Sequence, residues 1–351
     1  MLHPSRRVLS IAGASLGAAL LATAITLVAT RHADEPAETA STSSPSEPGP
    51  PEQPALSDDF ALVDLDAAPS AGLEGVVTTL SDLPIAPTKR TMRYLDHLAN
   101  DDKGRKTFAE RYRRAGRYEE HIESKLQDAD MPEDLVWVAA IESSMSPQAT
   151  SPAGAAGLFQ FMPETADRFG LFVGNELDER RSVTKSTDAA IAYLGVLFDT
   201  FGAWDLALAA YNCGEGRLEQ ALTDARASLG RNEEEPVTFP ELCALGLLPK
   251  ETADYVPKIH AFAIAVHNRE ILHLDDVEPI AAMHFSEIAV PGGTKIAPIA
   301  KAAGISVATL REYNPDLLSD RLPPGLGDML VEVPPDRLEQ TLAALPALLE
   351  R

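Results

Sequence analysis

Leu135-Val136-Trp137-Val138-Ala139-Ala140-Ile141, closed by Glu142-Ser143, is the stretch on which the reading of this chain turns. An unbroken apolar run leaves no polar face, which marks a helix buried inside a domain rather than one lying on its surface. Pro132-Glu133-Asp134 signals its start, because proline fits the first helical position and carboxylates favour the positive end of the helix dipole. The helix is expected to run from there to about Ser144. Glu142 follows Ala139, Val138 and Leu135 by three, four and seven positions, so periodicity puts its carboxyl on their apolar face. Desolvation there disfavours the charged form and raises the pKa, as a general acid working near neutral pH requires. A helix-end glutamate turned out to water fits the same spacing, and periodicity leaves both readings open.

Working outward, Tyr94, Leu95, Leu98, Phe108 and Tyr112 recur at helical spacing among charged residues, predicting two amphipathic helices before the acid. After it, helices are expected over 163–169, 187–201, 203–212 and 251–267. Glycine-bearing turns separate them, such as Gly170 and Gly214-Glu215-Gly216. Trp137 and Trp204 lie in apolar helical runs and are expected in the core. Glu164 and Asp167, the nearest downstream carboxyls, sit at the start of a new helix and read as dipole partners. The expected fold class is mainly α.

Three motifs in order carry a resemblance. Glu142-Ser143 continues through Ala149, Ser151, Gly154-Ala155 and Gly157-Leu158-Phe159-Gln160-Phe161-Met162-Pro163. Ala210-Tyr211-Asn212 then precedes Gly214 and Gly216, and Glu251-Thr252 precedes Tyr255-Val256-Pro257-Lys258. Over roughly Thr88 to Asn268 these resemble the soluble-type (SLT) lytic transglycosylases, above all the membrane-bound D type, which joins such a domain to lysin motifs. The resemblance implies a lysozyme-like helical catalytic domain acting on peptidoglycan glycan strands. It also implies that Glu142 is the single catalytic acid and then base, with no second carboxylate and no cofactor. It makes Ser143, Ser151, Gly157, Gln160, Phe161, Tyr211, Asn212 and Tyr255 substrate-binding candidates. Ser143 as a helix cap, the glycines as ordinary turns, and Tyr211-Asn212 as a core tyrosine beside a helix end are the plainer readings. A hydrolytic muramidase of the same fold and a non-catalytic wall-binding scaffold are the functional alternatives.

Past His273 the character changes. Val290-Pro291-Gly292-Gly293-Thr294, Ile299-Ala300, Gly304-Ile305-Ser306, Leu310, Asn314-Pro315, Pro324-Gly325 and Val331-Glu332-Val333-Pro334 resemble a lysin motif (LysM). That implies a small α+β unit of βααβ order gripping glycan. Gly293 stands where an aspartate is usual, and Gly327-Asp328 loosens the approach to the last strand, so the motif is degenerate. One short helix is expected after Asp336, with Leu338, Leu342 and Leu345.

The chain has 351 residues, which favours one sizeable core plus a smaller module. Its 30 Lys and Arg against 53 Asp and Glu give a net charge of −23, which excludes a basic footprint for nucleic acid. Arg6-Arg7 precedes an uncharged run from Val8 to Thr30, long enough to span a bilayer. An N-terminal signal anchor over 1–33 is expected, with a cleaved signal peptide as the alternative and the remainder facing the periplasm. The Pro, Ser and Glu composition after Ala33 reads as a flexible linker, taken as 34–87. The catalytic domain is expected over 88–272, the LysM-like module over 280–335 and a tail over 336–351. Cys213 and Cys243, the chain's two cysteines, lack the clustering of a metal site, and in an oxidising compartment we expect them to form one disulfide.

Overall fold

The computed structural model describes residues 73–349. The N-terminal segment expected to act as an anchor, and most of the linker, lie outside the described residues. Three helices precede the acid, one more than expected: α1 (Lys89–Asn100), α2 (Asp102–Ala115) and α3 (Glu119–Asp128). Thr88 and Thr91 form a reciprocal capping box on α1, and the Asp101 carboxylate accepts from the Lys103 and Gly104 amides to start α2. The acid-bearing run is also split. Glu133–Val136 winds as a 3-10 turn before α4 (Trp137–Ser143), and Pro132 sits just outside it rather than in the first helical position.

Next come α5 (Pro163–Arg168), α6 (Val183–Phe201), α7 (Trp204–Cys213), α8 (Glu215–Leu229), α9 (Phe239–Ala244) and α10 (Lys250–His267). The axis of the body is α10, buried from Thr252 to Ala265 and packed against α1, α4 and α7. A helix buried on every side reads as apolar all round, and α4 does up to Glu142, whereas α10 buries Thr252, Asp254, Lys258 and His260 among its apolar residues. Trp137 and Trp204 are core residues as expected. Trp137 is held by an indole hydrogen bond to Asp134 of 2.8 Å and a ring contact with Phe262.

Residues 73–87, irregular in backbone apart from a 3-10 turn at Thr78–Leu80, are packed on this body. Leu83 is buried, Asn268 bonds both the amide and the carbonyl of Val77, and the Asp82 carboxylate accepts from the Glu133 and Asp134 amides. The turn leading into α4 is therefore capped by a segment some fifty positions earlier.

The C-terminal part runs β1 (Ser286–Pro291), α11 (Ile296–Ala303), α12 (Val307–Tyr313), β2 (Asp328–Val333) and α13 (Leu338–Leu349). The two strands pair antiparallel with Ile288 opposite Val331, and the buried apolar residues of this part form a second hydrophobic cluster. Asn314 ties α12 to β2: its carboxamide donates to the Leu310 and Glu332 carbonyls and accepts from the Glu332 amide. In α13, Leu345 is buried while Leu342 is exposed. The architecture is mainly α with a small two-stranded α+β piece. Among the described residues no single helix is long and apolar enough to cross a membrane.

Candidate active site

Glu142 sits on the last turn of α4, its side chain turned inward, so the apolar-face reading holds and the solvent-facing one does not. The residue is 8% exposed. Burial pushes its carboxyl up to about 8; a hydrogen bond from Tyr255 opposes that shift, and the nearby Glu251 charge adds to it. Tyr255, on α10, donates from Oη to Glu142 Oε1 at 2.6 Å. The helix stops at once behind the acid: Ser144 and Met145 both take left-handed backbone, at φ 53° and 59°. Arg114 fixes that turn by donating from Nε to the Ser144 carbonyl at 2.6 Å. Two consecutive left-handed non-glycine residues are costly and need such outside support.

Tyr211 on α7 stands close enough to Glu142 and Tyr255 for their charges to perturb one another, and all three pKa values are raised, chiefly by burial. Its Oη donates to the Phe159 carbonyl at 2.7 Å, linking the acid's surroundings to the turn segment 149–161. That segment folds back on itself through paired bonds between Ala156 and Phe161. Gly157 (φ +86°) is obligatory in it, because a Cβ there would meet the Arg180 carbonyl oxygen at 1.6 Å. Gln160 is also left-handed, at φ 50°. Its amide donates to the Gly157 carbonyl at 2.8 Å, and its Oε1 is buried with no hydrogen-bond partner. Backbone strain and an unsatisfied buried acceptor thus coincide at Gln160.

The remaining candidates are placed differently. Ser143 Oγ donates to the Ala139 carbonyl and accepts from the Ser146 amide, so it caps the helix end. Ser151 Oγ accepts from the Ala155 amide and shapes the turn. Phe161 is 1% exposed against Tyr193 and packs the core, instead of presenting a face on which sugar could stack. Asn212 lies within α7 and accepts from Thr252 Oγ at 2.7 Å, tying α7 to α10 beside Glu251. Cys213 and Cys243 are thiols, not the expected disulfide. Cys213 is buried at the end of α7 with its Sγ toward the Gly214 carbonyl, and Cys243 is half-buried on α9, where burial pushes its thiol up to about 11. No group of three or more metal-ligating side chains occurs among the described residues.

Two positions beside the site, Glu251 and Arg180, are not among the residues expected from the sequence to form it. Glu251 is the carboxyl that acts on Glu142; Glu164 and Asp167 are exposed on α5. The signal was present, since Glu251-Thr252 opens the third motif. Arg180, buried against the 149–161 segment, carried no motif at all.

Residues 120–233 match the transglycosylase SLT domain family, so the chain carries such a domain. The match takes in Glu142, the turn segment and Tyr211, and ends before Tyr255. Membrane-bound lytic murein transglycosylase D of Escherichia coli K12 is 34% identical over 240 residues, covering 66% of this chain and 50% of that protein. The chain thus spans half the length of that relative. Membrane-bound lytic murein transglycosylase F of Thiobacillus denitrificans is 37% identical over 122 residues, 31% of this chain and 24% of that one. Among solved structures, the 70 kDa soluble lytic transglycosylase of Escherichia coli aligns with a TM-score of 0.38 and 18% identity, over 53% of this chain and 34% of that one.

Proposed function

We propose that this chain is a peptidoglycan lytic transglycosylase that cleaves the β-1,4 bond between N-acetylmuramic acid and N-acetylglucosamine without water. The Glu142 carboxyl carries the proposal: it is buried, its pKa is pushed up to about 8 by that burial, and the Tyr255 phenol holds it at 2.6 Å. In the first half of the reaction Glu142 gives its proton to the glycosidic oxygen as the bond to the muramyl anomeric carbon breaks. The substrate's N-acetyl group stabilises the cationic centre. In the second half the Glu142 carboxylate takes the proton of the muramyl 6-hydroxyl as that oxygen bonds the anomeric carbon. The product is a 1,6-anhydro end, and Glu142 returns to its starting state. Attack from within one sugar ring exploits proximity and needs no second protein carboxylate. Tyr255 steadies the carboxylate half of the cycle.

In this reading residues 88–272 are the catalytic domain, 280–335 a degenerate LysM-like module, and 336–351 a tail. The relatives' description as membrane-bound and the uncharged run behind Arg6-Arg7 support a place in the periplasmic cell envelope, held by the N-terminal segment. The Glu251 charge that acts on Glu142 favours a second reading, a hydrolytic muramidase, since hydrolases of that kind use a second carboxyl near the acid. Digestion of purified peptidoglycan in ¹⁸O-water separates the two. Products without the label are expected, whereas one ¹⁸O at each new muramyl end would establish hydrolysis.

A further inference from the structure

Arg180 lies outside the Glu142–Tyr255 pair, yet it is the most heavily engaged side chain around the 149–161 segment. Its Nε and Nη2 donate to the two carboxylate oxygens of Asp178 at 2.8 and 2.9 Å. Its Nη1 donates to the carbonyls of Gly154 at 2.8 Å and Phe161 at 3.0 Å. Arg181 grips the start of the same segment, donating to the Gln148 carbonyl and Thr150 Oγ1. A planar guanidinium can serve a carboxylate and two carbonyls at once, which an ammonium cannot do in one geometry.

The loop that carries Arg180 is held from the other side by the C-terminal part. Leu177 is buried in the hydrophobic cluster of the βααβ unit and bridges to Leu317. The Asp178 amide donates to the Asp316 carbonyl at 3.0 Å, and the Leu318 amide to the Glu176 carbonyl at 2.9 Å. One continuous path therefore runs from residues 316–318 through 176–180 into the turn segment. From there the Phe159 carbonyl, bonded to Tyr211, leads to the surroundings of Glu142.

We infer that Arg180 is a positioning residue for the 149–161 segment, and that the βααβ unit serves the catalytic site by holding the Glu176–Arg180 loop, whatever glycan it binds itself. The effect on turnover rests on the transglycosylase reading; the effect on the segment's order does not. The test uses the full chain with Arg180→Lys, and with Leu318→Pro, which removes one amide donor at an exposed position of the C-terminal unit. Amide exchange over 149–161 should quicken about tenfold or more in Arg180→Lys and less in Leu318→Pro, with α10 unchanged. In Arg180→Lys, KM for glycan should rise and kcat fall together, while the pH at which Glu142 loses its proton stays put. Unchanged exchange over 149–161 in both variants, or equal quickening throughout the molecule, overturns the inference. Quickening in Arg180→Lys alone removes the role of the C-terminal unit. Should Arg180→Lys fail to fold, Leu318→Pro decides by itself. An inactive wild type with the expected exchange pattern would sink the proposed function and leave the positioning intact.

Discussion

At Glu142 the burial of a carboxylate outweighs the one hydrogen bond that stabilises it and pushes the pKa up to about 8. The upper limb of the pH–rate profile should therefore fall near pH 8, where the acid loses its proton. Tyr255→Phe removes a bond that favours the carboxylate, so it should move that limb to higher pH and lower the maximal rate. Stability follows from the same shift. With a folded pKa raised from 4.5 to about 8, Glu142 contributes stability that is full below about pH 4.5 and lost as pH rises through about 8. Glu142→Gln should match the wild type in thermal unfolding at pH 4 and exceed it above pH 8, by an amount on the order of 3–5 kcal/mol. It should also lose activity by about 10²-fold or more. At this scale the sequence was half legible. Spacing put Glu142 on an apolar face but left a solvent-facing alternative, and what settles the matter is Tyr255, 113 positions away. Side chains that only cap a turn, such as Ser143, share the motif with those that face the acid, and a motif does not separate them.

The elements around the acid are joined by a few specific contacts. Gly157→Ala would set a Cβ against the Arg180 carbonyl at a left-handed position, and should destabilise the chain by about 2–4 kcal/mol in denaturant unfolding. Thr252→Val leaves the Asn212 carboxamide oxygen without its donor at the α7–α10 contact, at a cost of about 1–3 kcal/mol. Long apolar or amphipathic helices were legible with small errors at their ends, because burial imposes a period that propensity seldom hides. α8 was not, since Gly214-Glu215-Gly216 reads as a turn. In the fold Gly214 caps the helix at φ 89° and Gly216 sits in its first turn, while Leu218, Ala221, Leu222 and Ala225 supply the buried stripe. Packing outweighs the roughly 1 kcal/mol that a helical glycine costs. The packing of 73–87 was hidden for another reason: its bonds run from Asp82 and Val77 to partners far along the chain.

Across the whole molecule, several carboxyls are raised by burial along with Glu142: Asp316 to about 6, Glu123 to about 7 and Glu332 to about 8. Each favours the folded state while protonated and loses that contribution as pH rises through its folded value, so the unfolding temperature should be highest in mild acid and decline from pH 6 to 8.5. The net charge of −23 adds self-repulsion at the alkaline end, so salt at roughly 0.1 M should recover part of the loss by screening. A midpoint that climbs with pH over that range would contradict these burial shifts. Whether Glu142 alone drives a waterless cleavage of the glycan strand is decided by mass spectrometry of fragments released from purified peptidoglycan, with wild type and Glu142→Gln side by side. Muropeptides ending in 1,6-anhydromuramic acid, one water lighter than hydrolytic products, are expected from the wild type and none from the variant. Reducing-end fragments, or equal release by both proteins, would contradict that mechanism.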